Sequence, residues 1–192
     1  MKIFSKLYGS VMQWSRHRHA TRYLAALSFA ESSFFPIPPD VMLAPMSLAK
    51  PKSAWKLATI TTIASLLGGL LGYLIGYFAI DLIEPWIIEL GYHNKFLLAK
   101  EWFAQWGFWA IFLAGFSPIP YKIFTITAGV ISMALLPFVI ASFIGRGARF
   151  FMVAGLMAWG GEKMEKKLHS YIDLLGWLTV MAVVAFIFYS RH

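Results

Sequence analysis

The 192-residue chain contains no cysteine, and only nine of its residues are Asp or Glu. The first absence excludes a disulfide framework, a Cys-ligated zinc and a thiol nucleophile, and leaves the redox compartment unspecified. Charged residues make up 14% of the chain against 59% hydrophobic, with a mean hydropathy of +0.65. That balance describes a single integral membrane domain, not a soluble one. The formal charge of +8 arises without any basic run of the kind that grips nucleic acid, so nucleic acid is excluded as a partner. Also missing are a His-Glu-x-x-His helix, a nucleophile elbow, a P-loop and a dinucleotide fingerprint, and the five histidines lie outside the apolar blocks without metal-ligand spacing. Neither an enzyme nor a metal or other cofactor is expected.

What is present is a phrase written twice. Phe35-Pro36-Ile37-Pro38-Pro39-Asp40 returns as Ser117-Pro118-Ile119-Pro120-Tyr121-Lys122, each inside an apolar block and each ending in a charge, of opposite sign in the two copies. Proline removes a backbone donor and frees a carbonyl that hydrocarbon cannot satisfy. Breaks at Pro36, Pro38, Pro39, Pro118 and Pro120 are therefore expected where protein or a water-filled cavity covers them.

The distribution of Lys and Arg orients the rest. Residues 1–22 are basic, lack the apolar core and cleavage site of a signal peptide, and read as an amphipathic segment on the membrane surface. Lys50, Lys52 and Lys56 make the far flank of the first block basic too. Block 23–49 is thus expected to enter and return from the cytoplasmic side as a re-entrant hairpin with the proline break at its tip. Leu57 to Ile80 is uncharged and about 36 Å long as a helix, a clear span. Its Gly68, Gly72 and Gly76 share one face, where another helix can approach closely. A homo-oligomer is a separate expectation that no residue of the sequence fixes. Segment 81–102, with Asp81, Glu84, Glu89 and Glu101, suits the outer side, and Trp102, Trp106 and Trp109 suit the interface.

By the same logic 103–133 dips in from outside as a second hairpin, 135–159 crosses back, and 172–190 crosses out. A competing count makes Phe103 to Tyr121 and Ile123 to Gly145 two full spans around Lys122. The repeat favours the hairpins: Ser65-Leu66-Leu67-Gly68 is echoed by Ser142-Phe143-Ile144-Gly145, so each half reads as hairpin then span. The expected fold is all-α and polytopic, with two opposed re-entrant hairpins in inverted repeat and about three full spans.

Five ionisable groups in this setting call for a reason, since each costs about 2.5 to 3.5 kcal/mol at the membrane centre on insertion scales. Glu31 lies mid-block between Ala30 and Ser32, an acid suited to reversible protonation. Asp40 begins a half-helix whose dipole favours a carboxylate, as a cap or as more. Lys122 opens a half-helix whose dipole repels it, which calls for an anion: Asp40, Glu31 or a lipid phosphate. Arg146 and Arg149 share a helix face, and either extend an anion site or pair with Glu31 and Asp40 as a static network.

The segment Glu31 to Asp40 resembles the acidic, proline-rich box of the DedA family, grouped with the VTT or SNARE-associated Golgi proteins. Gly115 to Lys122, continuing through Ala128-Gly129-Val130 and Met133, is similar to its second box. The likeness spans roughly Ala26 to Trp159 and leans toward the YqaA branch. Gly115 stands where that box usually has its first arginine, and Lys122 near the second. The resemblance implies a multi-pass bacterial inner-membrane protein, N-terminus cytoplasmic, that moves lipids such as phosphoprenol and supports envelope integrity. It implies proton handling at Glu31 and Asp40, with headgroup contact expected at Lys122, Arg146 and Arg149. Membrane lipids and protons are the expected partners. The function expected is proton-linked flippase or scramblase transport; the rival reading is a non-transporting scaffold or assembly factor.

Overall fold

The computed structural model describes residues 17, 19–33, 37–91, 93–117 and 120–160. Pro36, Pro118, most of segment 1–22 and the expected span 172–190 lie outside the described residues. Within them the chain is helical: α1 Ala20–Ser33, α2 Asp40–Ala49, a 3-10 turn Pro51–Ser53, α3 Ala54–Glu89, α4 His93–Phe116, α5 Tyr121–Val130 and α6 Leu135–Gly160.

The prolines set several of these boundaries. Pro39 sits at φ −66°, the angle its ring imposes, and positions the chain to begin α2 at Asp40. Lys50 leaves helical geometry because Pro51 follows it, and the chain re-enters helix at Ala54 after a tight turn. Each proline box therefore separates two helices, as the sequence indicates. Among the described residues two helices are long and apolar enough to cross a membrane, Pro51–Leu82 and Leu135–Gly160. The uncharged run Leu57 to Ile80 is the middle of a longer helix, since α3 continues for 36 residues through Pro85. An unbroken helix over Ile123 to Gly145 is excluded: the chain turns at 131–134, where Ser132 takes φ 55°.

Helix α3 is the post around which the other elements pack. Helix α1 runs parallel to its first half, with Ser28 Oγ donating to the Thr61 carbonyl (2.8 Å) and Ser33 Oγ to that of Gly68 (2.9 Å). Helix α2 returns toward the starting end, where Met42, Leu43 and Met46 join Ala20 and Leu24 of α1, Ala54 and Leu57 of α3, and Phe150 and Ala154 of α6 in one buried cluster. From the other end, α4 approaches and α5 returns. Tyr121 of α5 lies against Gly69, Thr125 against Gly72 and Gly129 against the Tyr73 carbonyl. Helix α6 runs antiparallel to α3, as Tyr73 against Phe138 (5.1 Å between centroids) and Trp55 against Phe151 (5.7 Å) require.

This arrangement explains the glycine face. A Cβ on Gly68 would meet the Phe29 carbonyl of α1, and one on Gly76 would meet the Ile126 carbonyl of α5. The glycines let both half-helices lie backbone to backbone against α3. Because α1 ends beside Gly68 and α5 begins beside Gly69, the two breaks converge midway along α3. A second apolar cluster, of Tyr73, Ile111, Ala114, Tyr121, Ala128, Phe138 and Ala141, lies beyond them. Between the two clusters runs a polar layer. The outward faces of α3 and α6 carry Ile63, Leu67, Leu74, Phe78, Phe143 and Leu156 in contact with the surroundings, which suits hydrocarbon.

Candidate functional site

The polar layer is built from the ends of the broken helices and one face of α6. Arg146 and Arg149, one helical turn apart, both point at the breaks. Arg146 Nη2 is hydrogen-bonded to Glu31 Oε2 near the end of α1, an ion pair in which the arginine side chain is 2% and the glutamate 12% exposed. Its Nε donates to Ser65 Oγ of α3 at 2.6 Å, and Nη2 also reaches Ser32 Oγ at 3.3 Å. The two serine hydroxyls are 2.7 Å apart. The guanidinium carbon lies 4.9 Å from the Tyr121 ring centroid and 4.6 Å from that of Phe150. Arg146 is thus surrounded by a carboxylate, two hydroxyls and two aromatic rings.

Arg149 is placed differently. Its Nε and Nη2 both donate to one oxygen of Asp40, Oδ2, while Nη1 donates to the Ser117 carbonyl at the end of α4. The side chains are 15% and 21% exposed. The other carboxylate oxygen, Asp40 Oδ1, is buried and accepts no hydrogen bond among the described residues. The N-cap position of α2 is held by Pro39, which makes no side-chain cap, and Asp40 follows it as the first helical residue. It sits in the first turn of α2, where the helix dipole favours its charge.

The structure brings together Glu31, Arg146, Asp40 and Arg149 in the pairing that the sequence offered as one of two alternatives. Lys122 occupies the first turn of α5, its carbonyl accepting from Thr125 Oγ1 at 2.9 Å, and the residue makes a further interaction with its surroundings. Of the box prolines described, Pro39 is buried, while Pro38 and Pro120 are exposed.

Sequence reasoning missed the hydroxyl groups. Ser28, Ser32, Ser33, Thr61, Thr62, Ser65, Thr125 and Ser142 are buried, and Tyr121 donates to Ser142 Oγ. Ser28, Ser32 and Ser33 fall on α1 positions that meet α3, and the four- and five-residue spacing from Ser28, close to one helical turn, could have flagged them. Ser65 and Ser142, seen at first only as an echo between halves, are the positions where each half's span receives a polar partner from its neighbours. Among the described residues no group of His, Asp and Glu could hold a metal ion.

Comparison with known proteins places this arrangement. The VTT domain model matches residues 37–159, from the first break to the end of α6. The chain belongs to the VTT-domain family, the DedA proteins. Within it, the chain is 54% identical over 187 residues to an uncharacterised protein of Haemophilus influenzae, covering 97% of each chain. A homologue from Histophilus somni is 52% identical, over 97% of this chain and 98% of its own. Undecaprenyl phosphate transporter A of Staphylococcus aureus is 28% identical over 78% of this chain and 80% of its own. No solved structure matches.

One departure from the family's usual second box now has a structural setting. Gly115, where the box arginine is expected, lies against the backbone of Arg146, whose N is 3.3 Å and Cγ 3.5 Å from the position of a Cβ. In this VTT protein the backbone of α6 and the first carbons of the Arg146 side chain fill that space.

Proposed function

We propose that this protein carries a phosphate-bearing lipid, such as a phosphoprenol or a phospholipid, across the bacterial inner membrane, with Glu31 and Asp40 exchanging protons during the cycle. The observation that carries the proposal is the convergence of two helix breaks on two carboxylate–arginine pairs midway along the post α3. Ionisable groups at membrane depth are costly and are kept where they face a pathway or a partner. Paired broken helices meeting near the midplane are a recurring transporter plan. In this reading α1–α2 and α4–α5 are re-entrant hairpins from opposite sides, the N-terminal flank is cytoplasmic, and Lys122 and Arg149 attract the headgroup phosphate. The family membership and the name of the Staphylococcus aureus relative support the choice of lipid class.

The test is reconstitution of the full chain into vesicles containing fluorescent phosphoprenol or phospholipid. The protein is expected to speed transbilayer movement, and Glu31→Gln, Asp40→Asn and Lys122→Ala are expected to abolish it. A proton gradient imposed on the same vesicles should change the rate. A folded wild type that moves no lipid while retaining protein partners would establish the scaffold reading instead.

A further inference from the structure

The two arginines are held in ways that predict different roles. Arg146 is enclosed at 2% exposure, with Glu31, Ser65 and Ser32 on its nitrogens and aromatic rings nearby. Its Nε and Nη2 are both engaged by protein groups. Arg149 is partly accessible, and its hold on Asp40 is geometrically imperfect: two donors converge on one oxygen while Oδ1 is buried and without a hydrogen-bond partner among the described residues. A guanidinium edge is shaped for two acceptor oxygens side by side. A phosphate presents such a pair, and here the carboxylate does not. Arg149 also binds a group flanking each break, Asp40 just after the first and the Ser117 carbonyl just before the second.

We propose that Arg149 is the exchangeable cation of the site. A lipid phosphate displaces Asp40 from its guanidinium, and this exchange unlinks the two breaks, while Arg146 stays fixed as a positioning residue that anchors α6 to α1 and α3. The proposal rests on the headgroup reading above and adds which arginine meets the phosphate and which acid competes with it. The exchange breaks no covalent bond. Asp40 is released as a carboxylate beside the bound anion.

Binding of water-soluble dihexanoyl phosphatidic acid and of inorganic phosphate to the detergent-solubilised full chain separates the outcomes by calorimetry. Asp40→Asn, which removes the competing charge, should bind the phosphatidic acid at least about tenfold more tightly than wild type. Arg149→Gln should bind at least about tenfold more weakly, with Arg149→Lys between. Arg146→Lys should lower thermal stability yet leave affinity per folded molecule within about threefold. Weaker binding by Asp40→Asn, or loss of binding in Arg146→Lys but not in Arg149→Gln, overturns the exchange. Equal affinity for inorganic phosphate overturns a lipid as the occupant. Because the chain has no native cysteine, Thr125→Cys gives a ligand-free arm. Thr125 is buried one turn from the second break, and a water-soluble maleimide should label the cysteine at least about tenfold faster once Arg149→Gln is added. Unchanged labelling overturns the link that Arg149 makes between the two breaks, even where lipid binds. Normal exchange without transport in vesicles would instead overturn the transport reading alone.

Discussion

Arg146 Nε donates to Ser65 Oγ across 2.6 Å, joining α6 to α3 beside the point where both helix breaks converge. The same serine hydroxyl lies 2.7 Å from that of Ser32, so one small residue connects α1, α3 and α6. Its position is why α6 can carry two arginines into an otherwise apolar bundle.

Ser65→Ala should therefore destabilise the protein by about 1.5 to 3 kcal/mol, the range for a hydrogen bond to a charged group. Arg146→Ala should cost more, about 3 to 5 kcal/mol, because Glu31 is left buried without its counter-charge. Combining Arg146→Ala with Glu31→Gln should recover part of that loss. Thermal unfolding in detergent of the two singles and the double provides the cycle, and strict additivity would contradict the pairing.

The glycines of α3 should differ sharply from others in the chain. Gly68→Ala and Gly76→Ala force a methyl into the backbone of Phe29 and Ile126, and each should lower stability by at least about 2 kcal/mol through displaced half-helices. Gly147→Ala meets only the Thr62 methyl at 3.6 Å and should be tolerated within about 0.5 kcal/mol. Gly91→Ala has open space but a φ of +73°, so its loss of about 1 kcal/mol should come from the backbone alone. Melting temperatures of the four variants test the order.

Gly115→Arg restores the residue usual in the family's second box, yet it should be poorly tolerated here. The space beside Gly115 is taken by the Arg146 backbone, which cannot swing away as a side-chain tip could. Expression of folded protein, scored by monodispersity, should fall, and Arg146→Ala should not rescue it because the obstructing atoms include the α6 main chain.

Tyr121→Phe and Tyr121→Ala separate the ring from the hydroxyl. The first loses the bond to Ser142 but keeps the ring near Arg146 and against Gly69, and should cost about 1 kcal/mol. The second opens a cavity in the buried cluster beyond the breaks and should cost about 3 to 5 kcal/mol. Similar losses for both would mean that the hydroxyl, not the ring, is what the site depends on.

Much of this was legible before any coordinates. The breaks at Pro38, Pro39 and Pro120 follow from proline chemistry and appear as helix boundaries. The run Leu57 to Ile80 was readable as helix because it is continuous and apolar, and Gly68, Gly72 and Gly76 as a packing face because of their spacing. The ends were less readable: α3 extends to Glu89, accommodating Asp81, Glu84 and Pro85 within the helix, beyond the uncharged run that marked it in the sequence. The hydroxyl ladder was not legible as a site. Serine and threonine in an apolar helix can satisfy themselves on their own backbone four residues back, as Thr61 and Thr62 do, and nothing local separates them from Ser65.

The sequence by itself determined the class, the breaks, the close-packing face and the roster of five costly charges, because each follows from the chemistry of residues near one another in the chain. Only the tertiary structure decided the pairing. Glu31 meets Arg146 across 115 positions and Asp40 meets Arg149 across 109, and neither match is written in local periodicity. It follows from α1 and α2 entering at one end of α3 and α4 and α5 at the other, so that helices interrupted by proline stop at a common depth and present their terminal charges to one face of α6.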